Sequence, residues 1–570
     1  MEKRWVINEP GDEATVNLLA QELGIDNILA NLLVNRGVTS FEEARAFFRP
    51  SLDDLHDPFL MKDMDKAVVR LTSALEQQER ILIYGDYDVD GTTSVALVYT
   101  ALKNKFDYID YYIPDRYTEG YGISKQGIDY AVEHGINLII ALDCGIKAVE
   151  KIEYARNCKV DFIICDHHTP GDELPQAVAV LDPKRKDCEY PCKDLSGCGV
   201  GFKLMQAFYQ KQNLPFEELV PLLDLLCVSI ASDIVAIVGE NRILTHYGLK
   251  QLNSNPRLGL QTILDLAGVD KELNVNDIVF KIGPRINAAG RIQSGRQAVQ
   301  LLIADNDETA RLIGDTINGF NDHRKELDHN ITDEALEKVA RSEKLLNRKS
   351  TVLFDANWHK GVIGIVASRL IETYYRPTVI LTESNGFATG SARSVDGFDL
   401  YQAISSCSDL LENYGGHKYA AGLTMKIENV SEFQERFEKY VCENISDEML
   451  IPQIKVDARI KLSDITPKFF RILKQFEPFG PMNMTPIFIS EDVVDYGYSR
   501  PVGREKEHLK LSVVDDIRNG DVRSGIAFSM GKYHEVISRG VPFDICYSLQ
   551  ENEYMGKVET QLMVRDLKVH

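Results

Sequence analysis

The rhythm of hydrophobic and polar positions changes several times along the chain, and each change predicts a different kind of element. Before residue 75, Leu18, Leu19, Leu23, Ile28, Leu29, Leu32 and Leu33 recur at helical spacing. Thr39, Ser40, Phe41, Glu42 and Glu43 form a helix start with capping signals, and Arg49-Pro50 ends that helix. From 75 to 235, short continuous apolar runs at 81–83, 137–142 and 161–165 alternate with helical stretches, the pattern of a parallel sheet covered on both faces. Residues 225–232 form a further apolar run. Residues 306–345 are charged with few breakers, and Leu312, Ile313, Ile317, Phe320 and Leu327 give a sparse apolar stripe, so one long helix is expected. Strand-like runs return at 350–354 and 377–381, with 361–370 reading as a loop entering a helix. After 451 the runs become short and alternating (487–489, 509–514, 543–549), the mark of a small all-β domain. The expected fold class is therefore α/β: a parallel-sheet domain, a long helix, a second α/β domain and a C-terminal β domain.

Composition narrows this picture. A chain of 570 residues is too long for one core, and two to four domains are expected. No apolar run approaches the roughly 20 residues that span a bilayer, and Met1-Glu2-Lys3-Arg4-Trp5 lacks the apolar core of a signal peptide. Ten scattered cysteines, several in apolar runs, fit a reducing compartment, so the expected location is cytoplasmic and away from membranes. Cys188, Cys192 and Cys198 lie close together, but not in the paired spacing of a common zinc site; a plain loop is the preferred reading. The formal charge of −22 argues against adhesion of nucleic acid over the whole surface, though not against a narrow basic channel.

The candidate chemistry gathers at the ends of the apolar runs. Gly85-Asp86-Tyr87-Asp88-Val89-Asp90-Gly91 follows the first. In an extended segment, alternate residues share a face, so Asp86, Asp88 and Asp90 would point together and repel unless cations held them. The alternative is a polar strand-to-helix turn with Thr92 or an aspartate as N-cap. Asp143-Cys144-Gly145 follows the second run, Asp166-His167-His168 the third, and Asp233 the later run. Ligands in open α/β sheets bind at the carboxyl ends of strands, so this collection favours a two-metal site over a structural turn. Many aspartates and few histidines favour Mn2+ or Mg2+ over Zn2+. Arg116 sits in a Gly-rich loop (113–122), where a guanidinium suits phosphate, and the glycines of 195–203 precede a helix whose N-terminus would suit phosphate too. Small residues between Arg285 and Arg291 suit either a polyanion or a tight buried crossing with surface arginines.

These motifs resemble the DHH phosphoesterase superfamily, and within it the RecJ single-strand-specific exonucleases. The carriers are GDYDVDG (85–91), IPDRYTEGYG (113–122), DCG (143–145), CDHH (165–168), IGPRINAAGR (282–291), WHKGVIGIVASRL (358–370), GSARS (390–394) and GGHKYAAG (415–422). The resemblance implies an N-terminal helical cap of the catalytic lobe (1–75), a DHH catalytic domain (76–305), a connecting helix (306–345), a DHHA1 substrate-binding domain (346–450) and an OB-fold-like single-strand-binding domain (451–570). It implies two-metal hydrolysis of single-stranded DNA, 5′→3′, releasing 5′-mononucleotides in repair and recombination. Asp143 would bridge two ions; Asp90, His167 and Asp233 would complete one site; Asp86 and Asp88 would serve the other; and His168 would touch the phosphate. Relatives outside this branch often carry a His where this chain has Tyr84, which makes Asp86 the candidate replacement. Arg116, Arg285, Asn287, Arg291, Ser391, Arg393 and His417 are the implied substrate contacts, with a 5′-phosphate pocket around Arg285, Arg291, Ser391 and Arg393. Tyr496, Tyr498, Arg500, Arg504, Lys506, Lys510 and Arg523 are candidates for the strand on the β domain. A single-strand binding protein and a helicase are partners the family implies, although no motif carries them. Two rival readings are a phosphodiesterase for cyclic dinucleotides or short oligonucleotides, and a binding module that has lost its metals; the extra β domain and the complete ligand set argue against them.

Overall fold

The computed structural model describes residues 2–292, 294–518, 520–554 and 556–570, and its contacts divide the chain into two compact units. The first comprises residues 49–326 and 477–484; the second comprises the remaining described residues.

The first unit is built on five parallel strands: β1 (Ile81–Gly85), β2 (Ile109–Tyr112), β3 (Leu138–Leu142), β4 (Asp161–Cys165) and β5 (Ala179–Leu181), in the order β2-β1-β3-β4-β5. The two faces are covered by different partners because side chains alternate along each strand. Ile81 and Ile83 join one apolar cluster with Val95 and Leu97 of α1 (Val89–Leu102), whereas Leu82 and Tyr84 join another with Ile128 of α2 (Lys125–Glu133) and Ile152 of α3 (Val149–Asn157). Helices α4 (Gly197–Lys211) and α5 (Leu223–Ser232) pack beside α1, and α6 (Gly283–Ile292) follows a short π-helical turn, Ile278–Ile282. The strand order reverses direction between β1 and β3. That topological switch point is where such sheets open a crevice at their carboxyl ends.

Helix α7 (Asp307–Ala340) is 34 residues long. Its Ala310 and Ile317 belong to the core of the first unit, and its Ile331, Ala335 and Val339 to a core of the second. Leu312 is exposed, so the predicted apolar stripe omits it.

In the second unit, β6 (Thr351–Phe354), β7 (Thr378–Ser384), β8 (Phe387–Arg393), β9 (Leu411–His417) and β10 (Ala420–Lys426) form one sheet in the order β9-β10-β8-β7-β6; α8 (Ile363–Thr373) packs on β7 and β8. The C-terminal strands Phe488–Asp495, His508–Val514, Arg523–Ala527, Phe543–Tyr554 and Lys557–Val569 close on themselves, because Phe488–Asp495 pairs with both Phe543–Tyr554 and His508–Val514. This is the five-stranded barrel of an OB-fold.

The N-terminal expectation needs correction. Residues 1–75 do not act as one cap of the catalytic lobe. The division falls after Phe48, and Arg4–Ile7 forms a parallel pair with Gln453–Val456 inside the second unit. The helix Met64–Glu76 belongs to the first unit, where Met64, Ala67, Val68 and Leu71 enter the same core as Ile81.

Candidate metal centre

The aspartates after β1 do not share one extended face. The strand ends at Gly85 and helix α1 begins at Val89, so the acidic stretch is a tight strand-to-helix turn. A Cβ at Gly91 would lie 2.4 Å from Asp86 O, which is why the turn needs glycine there. Asp88 is the N-cap, accepting from Gly91 N–H at 3.1 Å. Asp90 is already helical. Its carboxylate accepts from Gly197 N–H (2.6 Å), Cys198 N–H (2.9 Å) and Ser229 Oγ (2.7 Å). The N-terminus of α4, expected to suit a phosphate, is thus filled by the carboxylate of Asp90; a helix N-terminus attracts either anion. The turn reading and the acidic-cluster reading are both true of this segment.

Asp143 follows β3 in the left-handed region (φ 59°), with its N–H donating to Cys165 O at 2.9 Å. Asp166 follows β4 and organises its neighbours. Its Oδ1 accepts from His167 N–H (2.7 Å), His168 N–H (3.1 Å) and His168 Nδ1 (2.7 Å), and its Oδ2 from Ile146 N–H (2.8 Å). Burial opposes ionisation of Asp166, but His168 and these N–H groups outweigh it and hold the carboxyl at about 2. The same contact raises the pKa of the His168 imidazole against its own burial. His167 Nε2 lies 3.1 Å from Asp143 Oδ1, 3.6 Å from Asp233 Oδ2 and 3.7 Å from Asp90 Oδ2. Asp233 ends α5, its N–H donating to Ser229 O.

Two groupings of ligand atoms follow: Asp143 with His167 and His168, and Asp90 with His167 and Asp233. Asp86 and Asp88 supply the neighbouring acidic wall. Neither oxygen of buried Asp86 meets a donor at hydrogen-bonding geometry, although the N–H groups of Tyr87 and Gly122 lie close enough to favour its charged form; neither ring nitrogen of His167 is hydrogen-bonded either. Burial, then mutual repulsion, pushes Asp86, Asp88 and Asp143 up, and Asp233 up to about 8; burial pushes His167 down. A buried cluster of this kind is costly without cations, and its oxygen-rich donors with one or two imidazoles suit hard or borderline divalent ions. The residues fit the two-ion expectation.

The predicted substrate contacts divide between the units. In the first, the Arg116 guanidinium lies 5.0 Å from the Tyr87 ring centroid and near Asp86. Arg285 is tied down by Asn318 Oδ1 (3.1 Å) and Lys281 O (2.7 Å), and Asn287 is half-buried on the same helix as Arg291. A Cβ at Gly290 would lie 2.6 Å from Tyr87 O, so the small residues of α6 serve a tight buried crossing. In the second unit, Arg393 donates to Ser391 Oγ (3.1 Å) and Ala392 O (2.8 Å), beside Gly364 near the start of α8. Gly415, Gly416 and His417 lie in β9 of an exposed hairpin. On the barrel, Tyr496 and Tyr498 are exposed with ring centroids 6.0 Å apart, and Arg500, Arg504, Lys506 and Lys510 are exposed; Arg523 is half-buried on Leu462 O. Among the described residues, no cysteine enters a metal-ligand grouping.

Two participants escaped the sequence reading and a third was named without a role. Tyr121 Oη lies 3.1 Å from His168 Nε2, Ser229 holds Asp90, and Asp166 fixes the His168 ring and the His167 backbone. Tyr121 stands in the Gly-rich loop that was singled out for Arg116, and Asp166 in the motif itself; Ser229 carries no sequence signal. Tyr84 is no ligand: its hydroxyl donates to Gly122 O and accepts from Ser124 N–H, each at 3.0 Å, on the opposite face of β1.

Family models match in the same order as these elements: the DHH family N-terminal domain over residues 80–230, the DHHA1 domain over 347–443 and the RecJ OB domain over 456–566. The chain is 38% identical over 569 residues to the single-stranded-DNA-specific exonuclease RecJ of Bacillus subtilis, covering 99% of this chain and 71% of that protein. It is 32% identical over 560 residues to the Escherichia coli protein of the same name, covering 95% of each. The crystal structure of RecJ from Thermus thermophilus in complex with Mn2+ superposes with a TM-score of 0.85 at 26% identity, covering 99% of this chain and 79% of that one; the Mg2+ complex gives 0.78 at 25%, covering 99% and 78%. The chain belongs to the RecJ family of single-stranded-DNA-specific exonucleases.

Proposed function

We propose that this protein is a metal-dependent exonuclease that hydrolyses phosphodiester bonds of single-stranded DNA in the 5′→3′ direction and releases 5′-mononucleotides. The carrying observation is the crowding of carboxylates at the switch point of the parallel sheet: Asp86, Asp88, Asp90, Asp143 and Asp233 gather in one cleft with His167, and Asp86 and His167 have no hydrogen-bond partner there. In this reading, Asp90, Asp143, His167 and Asp233 would hold one Mn2+ or Mg2+ ion, and Asp86 and Asp88, with Asp143, would hold the other. Bound there, two divalent ions supply an activated water and offset charge on the attacked phosphate.

The chain's own groups do the rest. Asp166 fixes the His168 ring through Nδ1 and leaves Nε2 against the Tyr121 hydroxyl; as imidazolium, the ring would offer an Nε2–H donor to a phosphate oxygen that took that hydroxyl's place. Arg116 adds a guanidinium at the acidic wall. On the second unit, Arg393 is half-buried with uncharged partners, a partial burial that lowers its pKa, and α8 starts beside it without a side-chain cap. A half-buried guanidinium, a hydroxyl and an uncapped helix N-terminus together suit a terminal 5′-phosphate. The 5′→3′ polarity rests on that pocket, with His417 at its margin. Exposed Tyr496 and Tyr498 suit base stacking on the barrel. Partnership with a single-strand binding protein and a helicase, and a role in repair and recombination, follow from the family. A cytoplasmic location accords with ten free cysteines, and no helix among the described residues is long and apolar enough to cross a membrane.

The test is digestion of a long single strand labelled at either end, with Mn2+, with Mg2+ and with chelator. Metal-dependent early release of the 5′ label as mononucleotide is expected. Early 3′ release overturns the pocket assignment, and binding without cleavage in either metal overturns the enzyme.

A further inference from the structure

Directly after Asp233 the backbone does something a β-branched residue resists. Helix α5 ends with Asp233 as its C-cap, and Ile234 follows at φ 60°. That C′ position is ordinarily glycine or asparagine, because a branched Cβ clashes with the backbone in the left-handed region. When an apolar residue does occur at such a helix end, it commonly packs back on the last turn. Ile234 does not: it is 66% exposed, while Val235 and Ile237 beside it pack into the core. The conformation is held from both sides. Asp233 N–H donates to Ser229 O, Ile237 N–H donates to Pro481 O at 2.9 Å, and Asn241 Nδ2 donates to Ala236 O at 2.9 Å. Strain of this kind persists where the surroundings over-determine it, and it concentrates at functional sites. Here it turns an apolar side chain to solvent one residue from a group at the metal centre.

We infer that Ile234 is a substrate-positioning residue whose side chain packs against the base of a nucleotide beside the metal centre. The inference rests on the exonuclease reading. An apolar, sequence-tolerant contact suits a nuclease that takes every base, since each base offers an apolar ring face. It also accounts for an exposed isoleucine where glycine would fold more easily.

The backbone conformation makes the test clean. Ile234→Gly and Ile234→Asn both tolerate the left-handed region, so the Tm of each variant should equal or exceed that of the wild type. On a 5′-phosphorylated single strand with Mn2+, each variant should raise KM by about tenfold, the loss expected when a contact of side-chain size disappears, with a smaller effect on kcat. Ile234→Leu restores apolar bulk and should restore KM. Placing one abasic nucleotide at successive positions near the 5′ end should raise the wild-type KM at one position and leave the Ile234→Gly value unmoved there. Glycine and wild-type enzymes with the same KM, or an abasic penalty of equal size in both, overturn the inference while the nuclease stands. A Tm several degrees lower for Ile234→Gly overturns it too, because Ile234 is then a packing residue. A wild-type protein that neither binds nor cleaves the strand overturns the exonuclease reading itself, and the inference with it.

Discussion

Helix α4 and helix α8 open in similar ways and take on opposite tasks. Each carries a glycine in its first turn, and each presents backbone N–H groups there. At α4, Gly197 and Cys198 N–H groups receive the carboxylate of Asp90, a residue 107 positions earlier. The helix N-terminus there is satisfied by a carboxylate of the chain itself. At α8, Gly364 lies beside Ser391 and the half-buried guanidinium of Arg393. The first site is anionic and needs cations before it can approach a phosphate; the second offers cationic and hydrogen-bond donors, which is why a phosphate is proposed there. A helix N-terminus is therefore not a phosphate site by virtue of its glycines. What the fold brings opposite it decides.

Three measurements would break or sharpen this contrast. The largest effect is expected from Asp143→Asn, which should lower kcat by about 10³-fold or more, since a ligand proposed for both ions is lost. In chelator the same variant should melt higher than wild type, because an uncompensated buried carboxylate is gone; a lower melting point would mean that Asp143 is structural. Next comes Arg393→Ala. It should raise KM for a 5′-phosphorylated strand by about 10- to 100-fold, the value of a charge-assisted hydrogen bond, and change KM for a 5′-hydroxyl strand much less. Equal losses on both strands would remove the phosphate pocket from the second unit. The smallest effect is in stability. In chelator, folded Asp233 keeps its proton up to about pH 8, whereas the unfolded chain releases it near the ordinary value of 3.8. The folded state therefore binds more protons across that window, and stability falls as pH rises through it. Mn2+ should cancel the fall, so the Tm gained on adding Mn2+ should be larger above pH 8 than at pH 5, measured by thermal melts in matched buffers. A flat difference would separate Asp233 from the metal centre.

Much of the site was readable from local pattern. Apolar runs of strand length ended in aspartate or Asp-His-His, and strand ends are where an open sheet binds ligands, so Asp86, Asp88, Asp90, Asp143, His167, His168 and Asp233 stood out before any coordinates. The supposed geometry of the first motif was wrong for a local reason: Gly91 lets the chain turn into α1 at once, so Asp88 caps and Asp90 enters the helix instead of sharing an extended face with Asp86. The glycines of 282–291 also looked like a place for a polyanion. Gly290 is required because α6 crosses the backbone of Tyr87 closely, and Gly283 lies against Ser232.

By itself, the sequence determined the alternation of elements, the order of the domains, the candidate ligand residues and the family, because each of these is written in periodicity or in motifs a few residues long. Only the tertiary structure decided that the N-terminal strand Arg4–Ile7 pairs with Gln453–Val456, that Asp90 lies on the α4 N-terminus, that Asp166 serves the histidines rather than an ion, and that Ile234 stands exposed on a strained turn. These depend on packing between segments tens to hundreds of residues apart, where the partner of a polar group is set by which backbone happens to arrive beside it, and no local pattern records that arrival.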